Sequence, residues 1–388
     1  MNISPKRVNF IAIQHGHGVA CAGYHASAVR TGYEQVIAHR TSDLYATTAK
    51  KPGKVISLDE RGMIVEYDDG SKQGIELGRR FGTAEGSTIP HDVRAAVKPG
   101  AKFKVGDVLA YNEGFFEPDF IDPSQVVWKP GVTVKVALME SPLTLEDSSA
   151  ISAPTANLLR TKTTKEREII VNFKQTVREM VKVGQAVSSE DILCVIEDET
   201  TARNELFDKE SLDTLRVLSA QTPQAKVNGI VERIEVYYHG EKEDMSDSLR
   251  LLANASDREF AARHRSVGRT VMTGQAGDSY RSDGDPLLLD TLAIKIYITA
   301  EVPAGVGDKG VFGNQMKTVF GTVLEHEVTT ESGEKIGAIF GAKSIQARIV
   351  HSPDQIGTTT TNLNLLAARV VRTYHRQPQP APLKSHKD

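Results

Sequence analysis

Two stretches of this chain follow one pattern, and the pattern limits the folds that the chain can adopt. Residues 98–109 and residues 182–193 both read Lys-x-Gly-x-x-apolar-x-x-x-Asp-apolar-Leu. Glycine and aspartate at these places are typical of two tight turns, and the apolar positions between them are typical of short strands. A repeated unit of this kind predicts a mainly β chain that contains compact barrels.

Each copy has a second partner segment elsewhere in the sequence. Residues 51–56 and residues 226–231 both start with Lys and place a glycine, Gly53 or Gly229, two positions before a valine. Together the four pieces resemble barrel-sandwich hybrids, a small β fold found in biotinyl and lipoyl carriers and inside larger enzymes. The predicted fold class is therefore mainly β with some α, built around barrel-sandwich-hybrid units.

The remaining periodicities predict two strands and two helices. Residues 132–138 and 293–300 alternate between apolar and polar positions, which is typical of strands. Residues 247–264 carry apolar side chains at helical spacing. A second apolar stripe, made by Leu363, Leu366, Ala367 and Val370, predicts a helix after Thr361.

Length, charge and cysteine content exclude several classes of protein. With 388 residues, two or three domains are expected. A net charge of −3 argues against a chain that is basic overall, so contact with nucleic acid would need a local basic patch. Two cysteines, Cys21 and Cys194, are too few for a metal cluster, and a reducing compartment is expected. The chain shows neither a signal peptide nor an apolar run of about 20 residues, so we expect a soluble intracellular protein.

Residues 307–317 hold the strongest candidate site. They place Lys309 and Lys317 eight positions apart, with Gly310 and Gly313 between them. Glycines allow a backbone to approach a large anion, and lysines supply compact positive charge, so the segment suits phosphate groups. Farther along the chain, Lys343 and Arg348 add two more cations. The candidate set is therefore Lys309, Lys317, Lys343 and Arg348. The alternative is a solvated basic surface.

Three other groups of polar residues invite a functional reading. Glu146 and Asp147 follow the predicted strand at 132–138, where they would either cap a following helix or hold Mg²⁺ through water. The run 283–285, Asp-Gly-Asp, is favoured as a turn over a metal site. The histidines at 15 and 17 lie near Cys21 but lack a second cysteine at zinc-ligand spacing, so a solvated Gly-rich loop is favoured.

The order of these pieces resembles the C-terminal half of the β subunit of multisubunit DNA-dependent RNA polymerase. In that family, segments such as SPKQVVS, GANMQRQAV, KxGxV, GDVLA, VAFMPWNGYNFED, GDKMAGRHGNKG and NPLGVPSRMNIGQ follow one another. The corresponding segments of this chain are residues 4–8, 22–29, 51–55, 106–110, 136–147, 307–317 and 345–349. The resemblance covers about residues 4–372 and is loosest between 150 and 290. The chain looks like part of a divergent β subunit that is divided between chains, as in the polymerases of jumbo bacteriophages.

The resemblance implies roles for individual residues. Lys309 and Lys317 match the two active-centre lysines that contact phosphates of the initiating nucleotide or of the RNA 3′ end. Arg348 matches the arginine that reaches the incoming triphosphate, and Lys343 belongs to the same nucleotide- and RNA-binding set. Glu146 and Asp147 match the acidic pair beside the second Mg²⁺, which a β′-like partner would mainly hold.

The same resemblance implies an organisation and a setting. It divides the chain into a hybrid-binding part with the first barrel-sandwich strand pair at 1–148, a reduced flap-like domain at 149–290, an active-centre segment at 291–372 and a disordered tail at 373–388. The catalytic β′ motif NADFDGD is absent from the chain, so we expect an RNA polymerase subunit that is inactive alone. Its expected partners are an N-terminal β-like fragment, β′-like subunits, template DNA, nascent RNA and NTPs, with no membrane. The expected location is the cytoplasm of an infected bacterium or the virion.

Two other functions stay open at this point. One is a carrier or adaptor built on barrel-sandwich hybrids, since Met316-Lys317 is similar to the Met-Lys-Met tip that is biotinylated. The other is a structural virion protein without catalysis.

Overall fold

The computed structural model describes residues 2–6, 19–27, 30, 32–84, 87–145, 147–198, 220–270, 272–277, 280–282, 284–312, 316–326, 328–331, 333–347 and 351–378. Over these residues the chain is mainly β, with several sheets and few helices. Arg348, Glu146, Asp283 and the histidines at 15 and 17 lie outside the described residues, as does the tail from 379 to 388.

The strands, in chain order, are β1 (Asn2–Lys6), β2 (Ala46–Thr48), β3 (Gly53–Leu58), β4 (Gly62–Tyr67), β5 (Lys72–Glu76), β6 (Gly78–Ala84), β7 (Ser87–Ala95), β8 (Lys102–Phe103), β9 (Val108–Asn112), β10 (Phe116–Pro118), β11 (Val126–Trp128), β12 (Val132–Thr133), β13 (Val136–Leu138), β14 (Ser148–Ser152), β15 (Thr161–Asn172), β16 (Gln175–Arg178), β17 (Ala186–Val187), β18 (Val195–Asp198), β19 (Gly229–His239), β20 (Arg281–Ser282), β21 (Asp285–Pro286), β22 (Thr291–Val302), β23 (Lys309–Phe312), β24 (Met316–Leu324), β25 (Val328–Thr329), β26 (Lys335–Ile336) and β27 (Ala338–Phe340). The α-helices are α1 (Tyr33–Val36), α2 (Ala153–Leu158), α3 (Asp247–Val267), α4 (Ala342–Ala347) and α5 (Ser352–Tyr374), with short 3₁₀ turns at Ile37–His39 and Lys242–Asp244.

The chain divides into two compact units. The first unit is formed by residues 1–40, 114–161 and 303–388, and the second by residues 41–113 and 162–302. This division does not test the four functional regions inferred from the sequence, which stay predictions. Helix α5 includes Thr373 and Tyr374, two residues that the sequence assigned to the tail.

The first unit contains a seven-stranded sheet in the order β12-β1-β23-β24-β14-β27-β13. Its two edge strands, β12 and β13, are consecutive in the chain, with Thr133 ending one and Val136 starting the other. Three residues span at most about 11 Å, whereas the edges of a flat seven-stranded sheet would lie about 29 Å apart. The sheet therefore curls until its edges approach, as in a barrel.

This curling explains why the expected strand at 132–138 is two strands. Val132–Thr133 pairs with β1 at one edge of the sheet, and Val136–Leu138 pairs in parallel with β27 at the other edge. The alternating pattern is present, but the chain changes partner strand between Thr133 and Val136.

In the second unit, the two near-repeats have the same hydrogen bonds. The amide of Ala101 donates to the carbonyl of Lys98 at 3.1 Å, and in the second copy Gln185 donates to Lys182 at 3.0 Å. The carboxylate of Asp107 accepts from the amide of Lys104, and that of Asp191 accepts from Ser188, at 2.8 Å and 2.7 Å. The internal repeat predicted from the sequence is thus confirmed as a repeated local structure.

The partner segments are equivalent as well. Gly53 in β3 lies opposite Phe103 in β8, and Gly229 in β19 lies opposite Val187 in β17. Both glycines lie where a Cβ would approach a neighbouring carbonyl oxygen, at 2.4 Å from Glu66 O and 2.6 Å from Thr299 O respectively. The order along the chain is exchanged, because the partner segment precedes the first copy and follows the second.

The predicted helix at 247–264 and strand at 293–300 are confirmed as α3 and β22. Helix α3 buries Leu249, Ala253 and Phe260 on one face and ends at Gly268, whose φ of 71° suits a glycine C-cap. The predicted C-terminal helix is confirmed as α5, although it begins before Thr361 and its apolar stripe is exposed. No helix among the described residues is long and apolar enough to cross a membrane.

Candidate functional site

Two strands carry the lysines of the segment 307–317, β23 from Lys309 to Phe312 and β24 from Met316 onwards. β23 and β24 pair antiparallel, with Lys309 opposite Val319 and Lys317 opposite Val311. Cross-strand partners and residues two apart share a face of a sheet, so both lysines lie on one face as diagonal neighbours. Diagonal neighbours are about 7–8 Å apart in antiparallel pairs, within reach of one phosphate chain.

Gly310 has a packing role in this hairpin. A Cβ on Gly310 would lie 2.4 Å from the ring of Phe320, so the ring fills the space that a side chain would take. Phe312 and Phe340 extend this buried aromatic layer, with ring centroids 5.0 Å apart. The sequence attributed the glycine to close approach of an anion, but the structure gives it a different reason at position 310.

Asp147 lies directly beside the strand that carries Lys317. Its backbone carbonyl accepts a hydrogen bond from the hydroxyl of Thr318 at 2.6 Å and from the amide of Val319 at 3.2 Å. β14 starts at Ser148 and runs parallel to β24, with Ser148 opposite Val319. Asp147 itself adopts a left-handed φ of 64°, which turns the chain into β14.

The segment after Asp147 corrects one interpretation of the acidic pair. Strand β14 follows immediately, so Asp147 cannot cap a following helix. For Asp147 the helix-cap alternative is wrong, and the reading of the acidic pair as residues that hold Mg²⁺ through water stays a prediction. Glu146 lies outside the described residues.

Lys343 reaches the same end of the sheet by another route. β27 runs antiparallel to β14, with Phe340 opposite Ser149, so its C-terminal end lies where β14 begins. Helix α4 starts just beyond, and the amide of Lys343 donates to Glu140 Oε1 at 2.5 Å. The side chain of Lys343 is exposed.

One end of the sheet in the first unit therefore gathers predicted site residues that are far apart in sequence. Lys317, Asp147 and Lys343 lie at this end, and Lys309 lies in the adjacent strand of the hairpin. The side chains of Lys309, Lys317 and Asp147 are half-buried.

No protein-family model and no curated protein sequence matches this chain. The function is therefore inferred from the residues of the site and from the sequence resemblance.

Among the described residues, no group of three or more His, Cys, Asp or Glu side chains is arranged to hold a metal ion. Ser282 pairs with Asp285 across the connection between β20 and β21, which contains Gly284. Gly284 in this turn has a φ of 96°, which favours glycine.

The two cysteines are buried, one in each unit. Burial raises the pKa of Cys194 to about 11, which makes its thiol a poor nucleophile near neutral pH. His25 Nε2 lies 3.0 Å from Thr133 Oγ1, and its Nδ1 lies 3.1 Å from the carbonyl of Gly23. Both ring nitrogens of His25 thus contact oxygen atoms of the first unit.

Sequence reasoning missed the hydroxyls that link the two parts of the site. Thr318 is buried, and its Oγ1 also lies 2.8 Å from the Oγ of Ser149. The sequence shows only a threonine at an inward-facing strand position. That pattern does not identify the residue with which its hydroxyl forms a hydrogen bond. Glu140 was missed for the same reason, because its contact with Lys343 crosses 203 residues of sequence.

Proposed function

We propose that this chain is a β C-terminal-like subunit of a multisubunit DNA-dependent RNA polymerase, in which it lines the active centre and binds RNA and NTP phosphates. The observation that carries the proposal is the meeting of Asp147 and the Lys317 strand through Thr318. The resemblance pairs these same two segments as parts of one active centre, although they lie far apart in the sequence. This agreement between motif order and contact is what supports the proposal.

The chemistry of such a site is electrostatic. Nucleotidyl transfer builds negative charge on the α-phosphate and on the leaving pyrophosphate, and cations already in place stabilise that charge. Lys309 and Lys317 share one face of a hairpin whose other face is fixed by Phe312 and Phe320. The packed inner face thus fixes the strands from which both lysines project.

Mg²⁺ is the cofactor that the resemblance implies. The ion usually binds through one or two carboxylates together with substrate phosphates. Asp147 fits a supporting position of this kind, while Glu140 already accepts the amide of Lys343. A bound Mg²⁺ would neutralise phosphate charge, and we infer that a β′-like partner supplies most of its ligands.

A carrier function has a weaker basis. The repeated turns in the second unit suit a barrel-sandwich hybrid, which is the fold of biotinyl and lipoyl carriers. The candidate lysine, however, is Lys317, which lies within β24 opposite Val311 rather than in a turn. An intact-mass measurement that finds a biotinyl or lipoyl adduct would favour the carrier, and an unmodified mass would favour the polymerase subunit. A structural virion protein would associate with no other polymerase fragment.

The first experiment identifies partners. The tagged chain is purified from its native source, and the proteins that copurify are identified by mass spectrometry. The proposal expects an N-terminal β-like fragment and a chain that contains NADFDGD. Recovery of the chain without any polymerase fragment would contradict it.

The second experiment tests the site in the reconstituted complex. Lys317→Ala removes one cation and is expected to reduce nucleotide addition by a few kcal/mol of transition-state stabilisation, about a hundredfold or more. Lys335→Ala is the matched control, since Lys335 is an exposed lysine in β26 of the same unit. Equal nucleotide addition by both variants would exclude the assignment of Lys317.

A further inference from the structure

A cavity of about 460 Å³ lies within the second unit, away from the residues considered so far. Helix α3 contributes Glu259, Arg263 and Val267 to its wall, and strands β6, β19 and β22 contribute most of the remainder. The lining contains five arginines and four glutamates, so it carries one more positive than negative charge. A volume of several hundred Å³ is typical of sites for small organic ligands.

The polar centre of the cavity is a buried carboxylate. The side chain of Glu235 is only 5% exposed. Its Oε2 accepts from the hydroxyls of Tyr237 at 2.9 Å and Tyr297 at 3.3 Å. Its Oε1 lies 3.4 Å from Arg233 and 3.6 Å from Arg263. One carboxylate is thus shared by two tyrosines and two arginines.

Arg233 is fixed by this arrangement. It donates to the carbonyl of Arg79 at 2.6 Å, and its guanidinium lies over the ring of Phe81 at 4.8 Å. Phe81 stacks in turn on Tyr297, with centroids 4.4 Å apart and planes inclined by 5°. Burial lowers the pKa of Arg233, and the positive charge of Arg263 lowers it further.

Arg263 is less well satisfied than Arg233. Its side chain is 19% exposed, and its contacts to Glu235 and Glu259 are 3.6 Å and 3.7 Å long, beyond hydrogen-bond distance. Glu259 is already held by Arg61 through two hydrogen bonds of 3.0 Å and 3.1 Å. Within the described part of the chain, Arg263 therefore lines the cavity with its N–H donors unused by hydrogen bonds.

Arg80 is in a similar position on the same cavity. Its contact with Glu76 is 3.7 Å, while Arg269 donates a 2.9 Å hydrogen bond to that carboxylate. Among the described residues, these two arginines of the cavity thus have only long contacts, to carboxylates that a different arginine already contacts more closely. Both side chains are partly exposed, 19% for Arg263 and 31% for Arg80, so an anion in the cavity can accept their N–H groups in charge-assisted hydrogen bonds.

We propose that this cavity binds a small organic phosphate, with its phosphate group held by Arg263 and Arg80. Two guanidinium forks that serve one cavity suit the three terminal oxygens of a phosphate better than the two oxygens of a carboxylate, which one fork can saturate. The apolar part of the ligand would contact Leu77, Phe81 and Met272, which also line the cavity. The proposal rests on the second unit alone and is independent of the polymerase assignment.

The test is calorimetric titration of the full chain with inorganic phosphate, AMP and benzoate at low ionic strength. We expect AMP to bind most tightly, inorganic phosphate to bind more weakly and benzoate to bind least. If neither phosphate compound binds, or if benzoate binds as well as AMP, the proposal is overturned.

Two matched variants then assign the residues. Arg263→Gln should weaken AMP binding by about tenfold or more, as expected for the loss of a charge-assisted hydrogen bond. Arg258→Gln is the control on the same helix, because Arg258 is exposed and does not line the cavity. Unchanged binding by Arg263→Gln, or an equal loss in Arg258→Gln, would overturn the proposal.

A third variant helps to distinguish a loss of the binding site from a loss of folding. Arg80→Gln changes a different element and should also weaken AMP by about tenfold. Circular dichroism of each variant establishes that it is folded before titration. If Arg80→Gln is folded and binds AMP like the wild type, a phosphate site built on this pair of arginines is excluded.

Discussion

The hydroxyl of Thr318 donates a 2.6 Å hydrogen bond to the backbone carbonyl of Asp147, a residue 171 positions earlier in the chain. The bond joins the start of β14 to the strand that carries Lys317. It places an acidic turn and a basic hairpin at one end of one sheet. The relative position of Asp147 and Lys317 is therefore set by the β14–β24 pairing and by one buried, neutral side chain.

Replacing Thr318 by valine keeps the shape of the side chain and removes its hydroxyl. Because Thr318 is 1% exposed, we expect Thr318→Val to lower the free energy of unfolding by about 1–2 kcal/mol. Urea unfolding followed by the fluorescence of Trp128, the one tryptophan of the chain, measures the first unit. Thr329→Val, at an exposed position of β25, is the control. Equal stability of the two variants would contradict a role for this hydroxyl.

A substitution at Gly310 tests the packing of Phe320 on the inner face of the hairpin that carries the two lysines. A Cβ at this position would lie 2.4 Å from the Phe320 ring, so Gly310→Ala should cost about 1–3 kcal/mol of stability. Gly305→Ala is the control, because a Cβ there has no neighbour within 4 Å. Adding Phe320→Leu to Gly310→Ala should recover part of the loss by relieving the clash. A double variant that shows no coupling would mean that the clash is relieved elsewhere.

How far the sequence predicts this structure depends on the range of the interactions involved. The repeat at 98–109 and 182–193 was predictable because its turns need particular residues locally, glycine with positive φ and an aspartate that accepts an amide. Helix α3 and strand β22 were predictable because their apolar periodicity is also a local feature of the sequence.

The candidate site was predictable only in part. The lysines and Asp147 could be named from motif order, but their meeting depends on the parallel register of β14 and β24. Nothing in the residues around Thr318 encodes a partner 171 positions away. The ionic cavity of the second unit was missed entirely, because its five arginines come from a bend, two strands and a helix in two distant parts of the sequence.

His91 should make the stability of the second unit dependent on pH. Burial lowers its pKa to about 4, and the charge of Arg80 adds to the effect. An unfolded histidine titrates near pH 6.5, so this stabilisation is complete above about pH 6.5 and is lost as the pH falls towards 4. The loss should be about 3 kcal/mol.

A substitution that cannot titrate isolates the contribution of His91. Its Nδ1 lies 2.8 Å from Asn112 Nδ2, and His91→Gln can supply an acceptor of the same kind. Thermal unfolding followed by circular dichroism between pH 4 and 7 should show a smaller slope for the variant. Parallel pH profiles for variant and wild type would mean that another group titrates.

Asp119 should make the stability of the first unit depend on pH in a more acidic range. Its carboxylate accepts the amide of Ile121 at 2.9 Å and the side chains of Arg30 and Gln35 at 2.8 Å and 2.6 Å. The backbone hydrogen bond is the main cause that lowers its pKa to about 2. Because the folded pKa is depressed, the stabilisation is present above about pH 4 and is lost as the pH falls to about 2. Trp128 fluorescence should show a flatter acid profile for Asp119→Asn, and an unchanged profile would contradict this assignment.

Gly53 and Gly229 test whether the two copies of the repeat are under the same constraint. In each copy the glycine lies opposite the short strand of the repeat, and a Cβ would approach a carbonyl oxygen of the adjacent strand. The oxygens belong to backbone and cannot move aside without breaking ladder hydrogen bonds. We therefore expect Gly53→Ala and Gly229→Ala each to lower the stability of the second unit by about 1–3 kcal/mol.

The control for this pair is Gly277→Ala, since a Cβ at Gly277 meets no atom within 4 Å. Chemical denaturation followed by circular dichroism compares the three variants with the wild type. Similar losses in the two repeat variants, against no loss in the control, would follow from equivalent packing in both copies. A large loss of stability in Gly53→Ala with none in Gly229→Ala would show that the two copies pack differently despite their shared hydrogen bonds. The same sequence pattern would then tolerate a side chain in one copy and not in the other.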